Sequence, residues 1–347
     1  MSRSVTLDDV ARLAKVSPIT ASRALRNHPQ VTEATREKVL KASKQCGYLP
    51  SAAARSMKSG RLHRIAAVVV RFGKSRSSYW PIMNGYLDPA VDVLAEQGYS
   101  LVMEPLMLDV VTKGFIQPPR LFSELSVDGA LGIVAGMVTP QIDKQVKELG
   151  VPVVWCNRKD VGSGYVMGTD EVASGRVLAE HLIELGHRDI GYVGCEGEHY
   201  SAQDRYLGVE AVLKEHGLNR RWLVQDHSDT KAVEVVSHMF NLPKRPTAVI
   251  CYSLHYYQAA LQCAAYLGLR VPDDISLCYV ASTWENDPAW SWATHVKLPE
   301  LQIGQAAAQI LLDLLDKKTT GKRQSRVTLF TPQLVEGKTV KVIVPSD

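Results

Sequence analysis

The stretch "DDVARLAKVSPITASRAL", residues 8–25, decides how this chain begins to fold. Apolar residues recur at helical spacing on both sides of a Val-Ser-Pro break, and each half is too short to persist as an isolated helix in water. Thr6 is a suitable N-cap for the first half, with Asp9 three residues on to accept from the Thr6 N–H. Val10, Leu13 and Ala14 share one face, and Lys15 and Val16 form the turn. Ser17 caps the second half, and Pro18 takes its first position, where a missing N–H costs nothing. Ala21, Ala24 and Leu25 then face inward, which leaves Pro18, Ile19, Ser22 and Arg23 facing out.

Downstream, Thr32 is placed to cap a third helix, "EATREKVLKASKQC", which turns Val39, Ala42 and Cys46 inward and stops at Gly47. Packed together, the three helices bury one small core. Two readings fit: a plain three-helix bundle, or a helix-turn-helix whose second helix enters the DNA major groove. The outward residues favour DNA. The hydroxyls of Ser17, Thr20 and Ser22 suit phosphates, Arg23 suits guanine, and exposed Ile19 suits a thymine methyl. Charge agrees. Residues 1–64 carry 13 Lys and Arg against 4 Asp and Glu, whereas the rest carries 27 against 32. A basic head on a mildly acidic body points to a polyanionic partner.

The run "VTLDDVARLAKVSPITASRALRNHPQVTEATREKVLKASKQCGYLPSAAARSMKSGR" resembles, without a gap, the DNA-binding region of the lactose/galactose/purine repressor (LacI/GalR) family. The resemblance implies base contacts from Pro18, Ile19 and Arg23, and phosphate contacts from Thr6, Ser17, Thr20, Asn27, Thr32 and Thr35. It further implies a head over residues 1–49 and a hinge over 50–61. There, residues 51–58 form a helix when a dimer sits on DNA, with Ala54 and Met57 at the minor groove. The family usually carries Leu at the Met57 position, where the two copies wedge open a base step.

From residue 62 to 347 the chain alternates apolar runs with amphipathic helices. The strand candidates are "RIAAVVV", "YSLVMEP", "DGALGIV", "VPVVWC", "DIGYVG", "PTAVICY", "ISLCYV" and "THVKL". Gly98, Gly150, Gly186 and Gly268 end helices just before such runs, as αβ loops of a parallel sheet do. The body is therefore α/β and doubly wound, long enough for two lobes, with a ligand placed at the carboxyl ends of the strands between them. The family resemblance covers the body too. It implies a two-lobed effector domain similar to periplasmic sugar-binding proteins, with one lobe over about 64–167 and 299–328 and the other over about 168–298 and 329–347. Three crossings between lobes would allow hinged closure.

Within that domain Arg205, in "DRYLG", matches the family's ligand-binding Arg, with a structural ion pair as the competing role. Three carboxylate positions depart from the family pattern: Asn157 replaces Asp, Ser253-Leu254 replaces Asn-Asp, and "CYVAST" replaces Gly-Phe-Asp. Tyr252, Trp284 and, in the first lobe, Trp80 are placed to line the pocket. Arg205 as the charged anchor would favour an acidic or carbonyl-bearing effector, such as a sugar acid. Otherwise the pocket has lost ligand control.

No phosphate-binding Gly loop, nucleophile elbow or catalytic triad order is present, so no enzyme, cofactor or metal is predicted. His181 and His187 read as a surface residue and a helix C-terminal cap. Six cysteines without a Cys-x-x-Cys pair read as reduced thiols. With no apolar span and no signal peptide, the chain reads as cytoplasmic and off the membrane. The expectation is a homodimeric transcription regulator, a repressor, that binds a pseudo-palindromic operator under small-molecule control. A solute-binding sensor and a ligand-blind DNA-binding protein are the competing readings.

Overall fold

The structure, a computed structural model, describes residues 5–25, 28–48, 60–72, 79–108, 124, 126–134, 140–148, 150–159, 164–196, 199–219, 222–226, 232–282, 291–316 and 326–344. The chain divides into two compact units, Met1–His63 and Arg64–Asp347. The expected hinge residues Ala54 and Met57, and Asn27 and Trp284, lie outside the described residues.

The head comprises α1 (Leu7–Ala14), α2 (Pro18–Leu25) and α3 (Glu33–Cys46). Its core is built mainly from Val10, Ala11, Ala21, Ala24, Val39 and Ala42, and such small side chains let short helices approach closely. The Thr6 N–H donates to Asp9 Oδ2 at 3.0 Å, which satisfies one of the orphan donors at the start of α1. Lys15 adopts the left-handed conformation (φ 55°, ψ 46°) and turns the chain. The Val16 N–H then reaches the Ala11 carbonyl at 3.0 Å. Gly47 ends α3 in the same conformation, φ 67°. Leu13 is 44% exposed rather than inward, because the buried stripe of α1 runs through Val10, Ala11 and Ala14 and leaves Leu13 to one side.

Two six-stranded sheets form the body. The first contains β1 (Arg64–Phe72), β2 (Ser100–Leu108), β3 (Gly129–Val134), β4 (Val153–Cys156), β5 (Tyr165–Thr169) and β11 (Arg326–Phe330), in the order β11-β5-β4-β3-β1-β2 and parallel throughout. The second contains β6 (Ile190–Cys195), β7 (Leu223–Asp226), β8 (Ala248–Cys251), β9 (Ser276–Ala281), β10 (Thr294–Lys297) and β12 (Gln333–Val335), in the order β12-β10-β9-β8-β6-β7. Only β12 runs antiparallel to its neighbour there. Among the described residues the body helices are α4 (Tyr79–Glu96), α5 (Pro140–Glu148), α6 (Glu171–Glu184), α7 (Tyr200–Glu215), α8 (Ala232–Phe240), α9 (Leu254–Tyr266) and α10 (Glu300–Leu315). Central strands such as "GALGIV" are buried on both faces, hence their unbroken apolar runs.

The chain passes between the sheets after β5, after β10 and after β11. Boundaries at 167 and 328 fall inside β5 and β11, which end at Thr169 and Phe330. Besides the eight runs that read as strands, the sheets take in β5, β7, β11 and β12. These are short, and β11 is exposed along nearly its whole length, so none shows a long apolar run.

His181 and His187 are both buried, contrary to their reading as surface and cap residues. After Gly186 (φ 91°), the chain carries His187 beneath the C-terminal segment, where the Ile343 N–H donates to the Leu185 carbonyl at 2.7 Å. The His187 ring lies 2.8 Å from Thr247 Oγ1 and 3.1 Å from the Lys341 carbonyl.

Two outcomes follow from these features. A Lys residue in the left-handed region is strained by roughly 1 kcal/mol, which Gly avoids. Lys15→Gly should therefore raise the hydrogen-exchange protection of the head amides by that amount, with α2 unchanged in structure. Burial also pushes His187 down to about 4. An unfolded His titrates near about 6.5, so the unfolded chain binds more protons between these values. Stability conferred by neutral His187 is complete above about pH 6.5 and falls as pH drops towards 4, by roughly 3 kcal/mol in all. Urea unfolding across that range should show the slope, and His187→Gln should flatten it.

Candidate functional site

On the head, α2 presents Ser17, Pro18, Ile19 and Arg23 to solvent, with Ile19 62% exposed and Thr20 and Ser22 half-buried. Ser17 Oγ accepts from the Thr20 N–H at 3.1 Å and lies 2.8 Å from Thr20 Oγ1. The two hydroxyls thus serve the start of α2 as well as its surface. Thr32 Oγ1 and Thr35 Oγ1 pair in the same way at 2.9 Å at the start of α3. Thr6 is exposed at the start of α1. One head residue escaped sequence reasoning. Arg36 in "TREKV" donates to the carbonyls of His28 at 3.4 Å and Val31 at 3.3 Å, and pairs with Glu33. It ties down the connection between α2 and α3.

In the body, carboxyl ends of strands from both sheets meet near the start of α7. Asn157 follows β4 with φ 59°, a left-handed conformation that Asn tolerates well. Its Nδ2 donates to the Val134 carbonyl at 2.8 Å, and its Oδ1 accepts from Tyr86 Oη at 3.2 Å. An Asp here could not make the first bond, since it lacks the donor. The carbonyl of Asn157 faces His199 Nε2 of the second sheet's lobe at 3.0 Å. His199 Nδ1 lies 2.7 Å from Ser201 Oγ, and Ser201 Oγ lies 2.8 Å from Tyr252 Oη. Burial pushes the His199 imidazole down, against the pull of the Asn157 carbonyl, so the ring is held neutral. Burial likewise raises the Tyr252 phenol to about 12.

Arg205 is buried and committed. Its Nε and Nη2 donate to the two oxygens of Glu171 at 2.7 and 2.8 Å, and its Nη1 donates to the Tyr252 carbonyl at 2.8 Å. The Tyr252 ring covers the guanidinium at 4.7 Å. Burial works against the charge on Arg205, but Glu171 outweighs it and raises the guanidinium further into its protonated range. Nearby, Lys159 holds both oxygens of Asp204 at 2.6 and 2.7 Å across the lobes and lies over the Tyr200 ring at 5.7 Å. Ser282 donates to Glu300, whose side chain is buried beside Gly85. Tyr192 Oη is buried without a hydrogen-bond partner among the described residues.

The structure therefore brings Asn157, Arg205 and Tyr252 into one connected network. Ser253 stands beside them at the N-cap of α9, its side chain making no capping bond. Trp80 lies in the first turn of α4. Sequence reasoning missed Glu171, His199, Ser201, Lys159 and Asp204. Only Glu171 left a trace, as an acidic residue in the first turn after the N-cap Asp170. Among the described residues no group of three or more His, Cys, Asp or Glu is arranged to hold a metal ion.

Comparison with known proteins places both units. Residues 6–51 match the bacterial regulatory proteins of the lacI family, and residues 179–340 match the periplasmic binding protein-like domain. The HTH-type transcriptional repressor PurR of Vibrio vulnificus is 29% identical over 346 residues, spanning 97% of this chain and 99% of that protein. PurR of Haemophilus influenzae is 28% identical over 347 residues, spanning 98% and 99%. Among solved structures, the Lac repressor bound to ONPG in the repressed state superposes with a TM-score of 0.73 at 22% identity, covering 97% of this chain and 100% of that one. A transcriptional regulator CelR-cellobiose complex gives 0.65 at 24% identity, covering 96% and 99%.

The Glu171–Arg205 geometry depends on how closely α6 and α7 cross. A Cβ on Gly175 would strike the Arg205 carbonyl, and one on Gly208 would strike the Val172 carbonyl. Gly208→Ala should destabilise the body by about 2 kcal/mol through overpacking. Denaturant unfolding would measure this, while an exposed control such as Gly217→Asn, at φ 65° with open space around it, should cost far less.

Proposed function

We propose that this chain is a DNA-binding transcription regulator of the lacI family that acts in the cytoplasm as a homodimeric repressor of a pseudo-palindromic operator. The observation that carries the reading is the exposed face of α2, with Pro18, Ile19 and Arg23 side by side on a capped, tightly turned helix in a strongly basic head. Pro18 and Ile19 offer only van der Waals contact, which suits a thymine methyl, and Arg23 offers the paired donors that guanine accepts. Thr6, Ser17, Ser22, Thr20, Asn27, Thr32 and Thr35 take phosphates, and Ala54 and Met57 take the minor groove. A twofold dimer on a twofold site gives each half-site one head.

Operator affinity is set by a small molecule held between the lobes, against Asn157, Arg205, Tyr252 and Ser253, with Trp80 and Trp284 as apolar walls. The connected network from Asn157 to Arg205 supports this, because a ligand that touches the Tyr252 end meets groups bonded to both sheets. Such a ligand shifts the regulator between forms by its differential affinity for them. An acidic effector, which Arg205 by itself would favour, is opposed by Glu171.

Selection of bound duplexes from a random pool, followed by mobility shift with the full chain, tests the DNA reading. A palindromic consensus is expected, and its absence would overturn the proposal. On that consensus Arg23→Ala should cost roughly 1–3 kcal/mol and relax one base position per half-site. Equal weakening on all sequences would instead make Arg23 a phosphate contact.

A further inference from the structure

Among the described residues, three cations of the body near the end of β4 and the start of α7 come in matched pairs. Arg205 is held by Glu171, Lys159 by Asp204, and Arg158 by Asp143 through Nη1 at 2.8 Å and Nη2 at 2.7 Å. Glu300 adds a further buried carboxylate. The positions where the family carries its ligand-facing carboxylates hold Asn157, Ser253 and Leu254 here, which suggests from sequence a site with a bare positive anchor. The fold reverses that. Glu171 enters from the start of α6, and the close crossing of α6 with α7 sets it edge to edge with the guanidinium.

We propose that Glu171 determines the charge of the effector: by taking the inner edge of Arg205 it makes the floor of the site electrically neutral, so that the site rejects carboxylate-bearing ligands and accepts uncharged ones. The inference rests on the effector reading above and deepens it. A planar guanidinium presents a carboxylate with one preferred two-point edge of Nε and Nη2, and Glu171 already occupies it. A ligand carboxylate arriving beside that pair would meet Glu171 at short range, while Lys159 and Arg158 are already held by Asp204 and Asp143, and a buried unpaired charge is strongly disfavoured. What remains on offer is mixed. Arg205 has three of its five N–H groups in use and two left, Tyr192 Oη lacks a partner among the described residues, and Ser253 makes no capping bond. Groups that both donate and accept, as alcohol and amide groups do, match this set better than an anion.

The test uses the full chain and its Glu171→Gln and Glu171→Gln/Arg205→Gln variants. Thermal unfolding is followed with sodium acetate, gluconate or galacturonate against sodium chloride at equal ionic strength, and with glucose and galactose. Glu171→Gln leaves Arg205 without its counter-ion, so this variant should be less stable than wild type and recover through a saturable rise in Tm with the carboxylates. Wild type and the double variant should respond to the carboxylates no more than to chloride. At least tenfold tighter binding of one carboxylate by Glu171→Gln than by wild type is expected.

Wild-type binding of gluconate or galacturonate at the level of the variant would overturn the proposal, as would a folded Glu171→Gln that ignores every carboxylate. If Glu171→Gln does not fold, Glu171→Asp decides: its retracted carboxylate keeps the charge, so the variant should stay indifferent to acids, and a saturable response would count against the proposal. Operator affinity measured with the neutral sugars keeps the two readings apart. A flat response to every small molecule removes effector control, whereas the carboxylate response of Glu171→Gln judges Glu171 alone.

Discussion

The body turns on the place where α6 and α7 cross. Gly175 and Gly208 carry no side chains, and each faces backbone of the opposite helix, so the helices touch backbone to backbone. That closeness brings Glu171 and Arg205 together as a dry, two-point ion pair. Such a pair is weak evidence for stability, since desolvation offsets most of its Coulomb energy. What it supplies here is direction. A guanidinium pinned along one edge has its remaining donors aimed, and one of these holds the Tyr252 carbonyl while the ring lies across its face. Tyr252 in turn meets Ser201, Ser201 meets His199, and His199 reaches Asn157 on the other sheet's lobe. A constraint that begins as two missing Cβ atoms thus ends as an oriented hydrogen-bond chain between lobes.

The head follows a different logic. Its helices are short and its core is largely alanine, so little apolar surface is buried and the ends matter more. Thr6 with Asp9, Ser17 with Thr20, and Arg36 with the loop carbonyls close off backbone groups that a larger domain would bury in its core. The hydroxyls of Ser17 and Thr20 that close the start of α2 also stand on the face proposed to meet DNA, so on that reading a change at either touches both structure and recognition.

Some of this was legible in the residues alone. The capping pattern around Thr6, Ser17 and Pro18, the stop at Gly47, and the apolar runs of the central strands are local signals. They involve neighbours a few residues apart, whose geometry follows from backbone chemistry. Short or exposed strands such as β7 and β11 left no comparable mark, because an edge position needs no apolar run to be a strand. His187 was misjudged for a related reason. Its burial comes from a C-terminal segment more than 150 residues away, which no window around "ELGHRD" contains.

The site divides along the same line. Sequence alone determined that the head would be a capped helix-turn-helix with Ile19 and Arg23 outward, and family resemblance singled out Arg205 for the ligand expected at the carboxyl ends of strands. It could not assign Arg205 its partner. Glu171 lies 34 residues earlier, on another helix, and becomes a partner only when two glycines let those helices meet. Tertiary structure alone decided that Arg205 is matched rather than bare, and that the Asn157 side chain serves the Val134 carbonyl and Tyr86. Pairing of charges depends on distances of a few ångströms, and between residues far apart in the chain only the packing of the fold sets such distances.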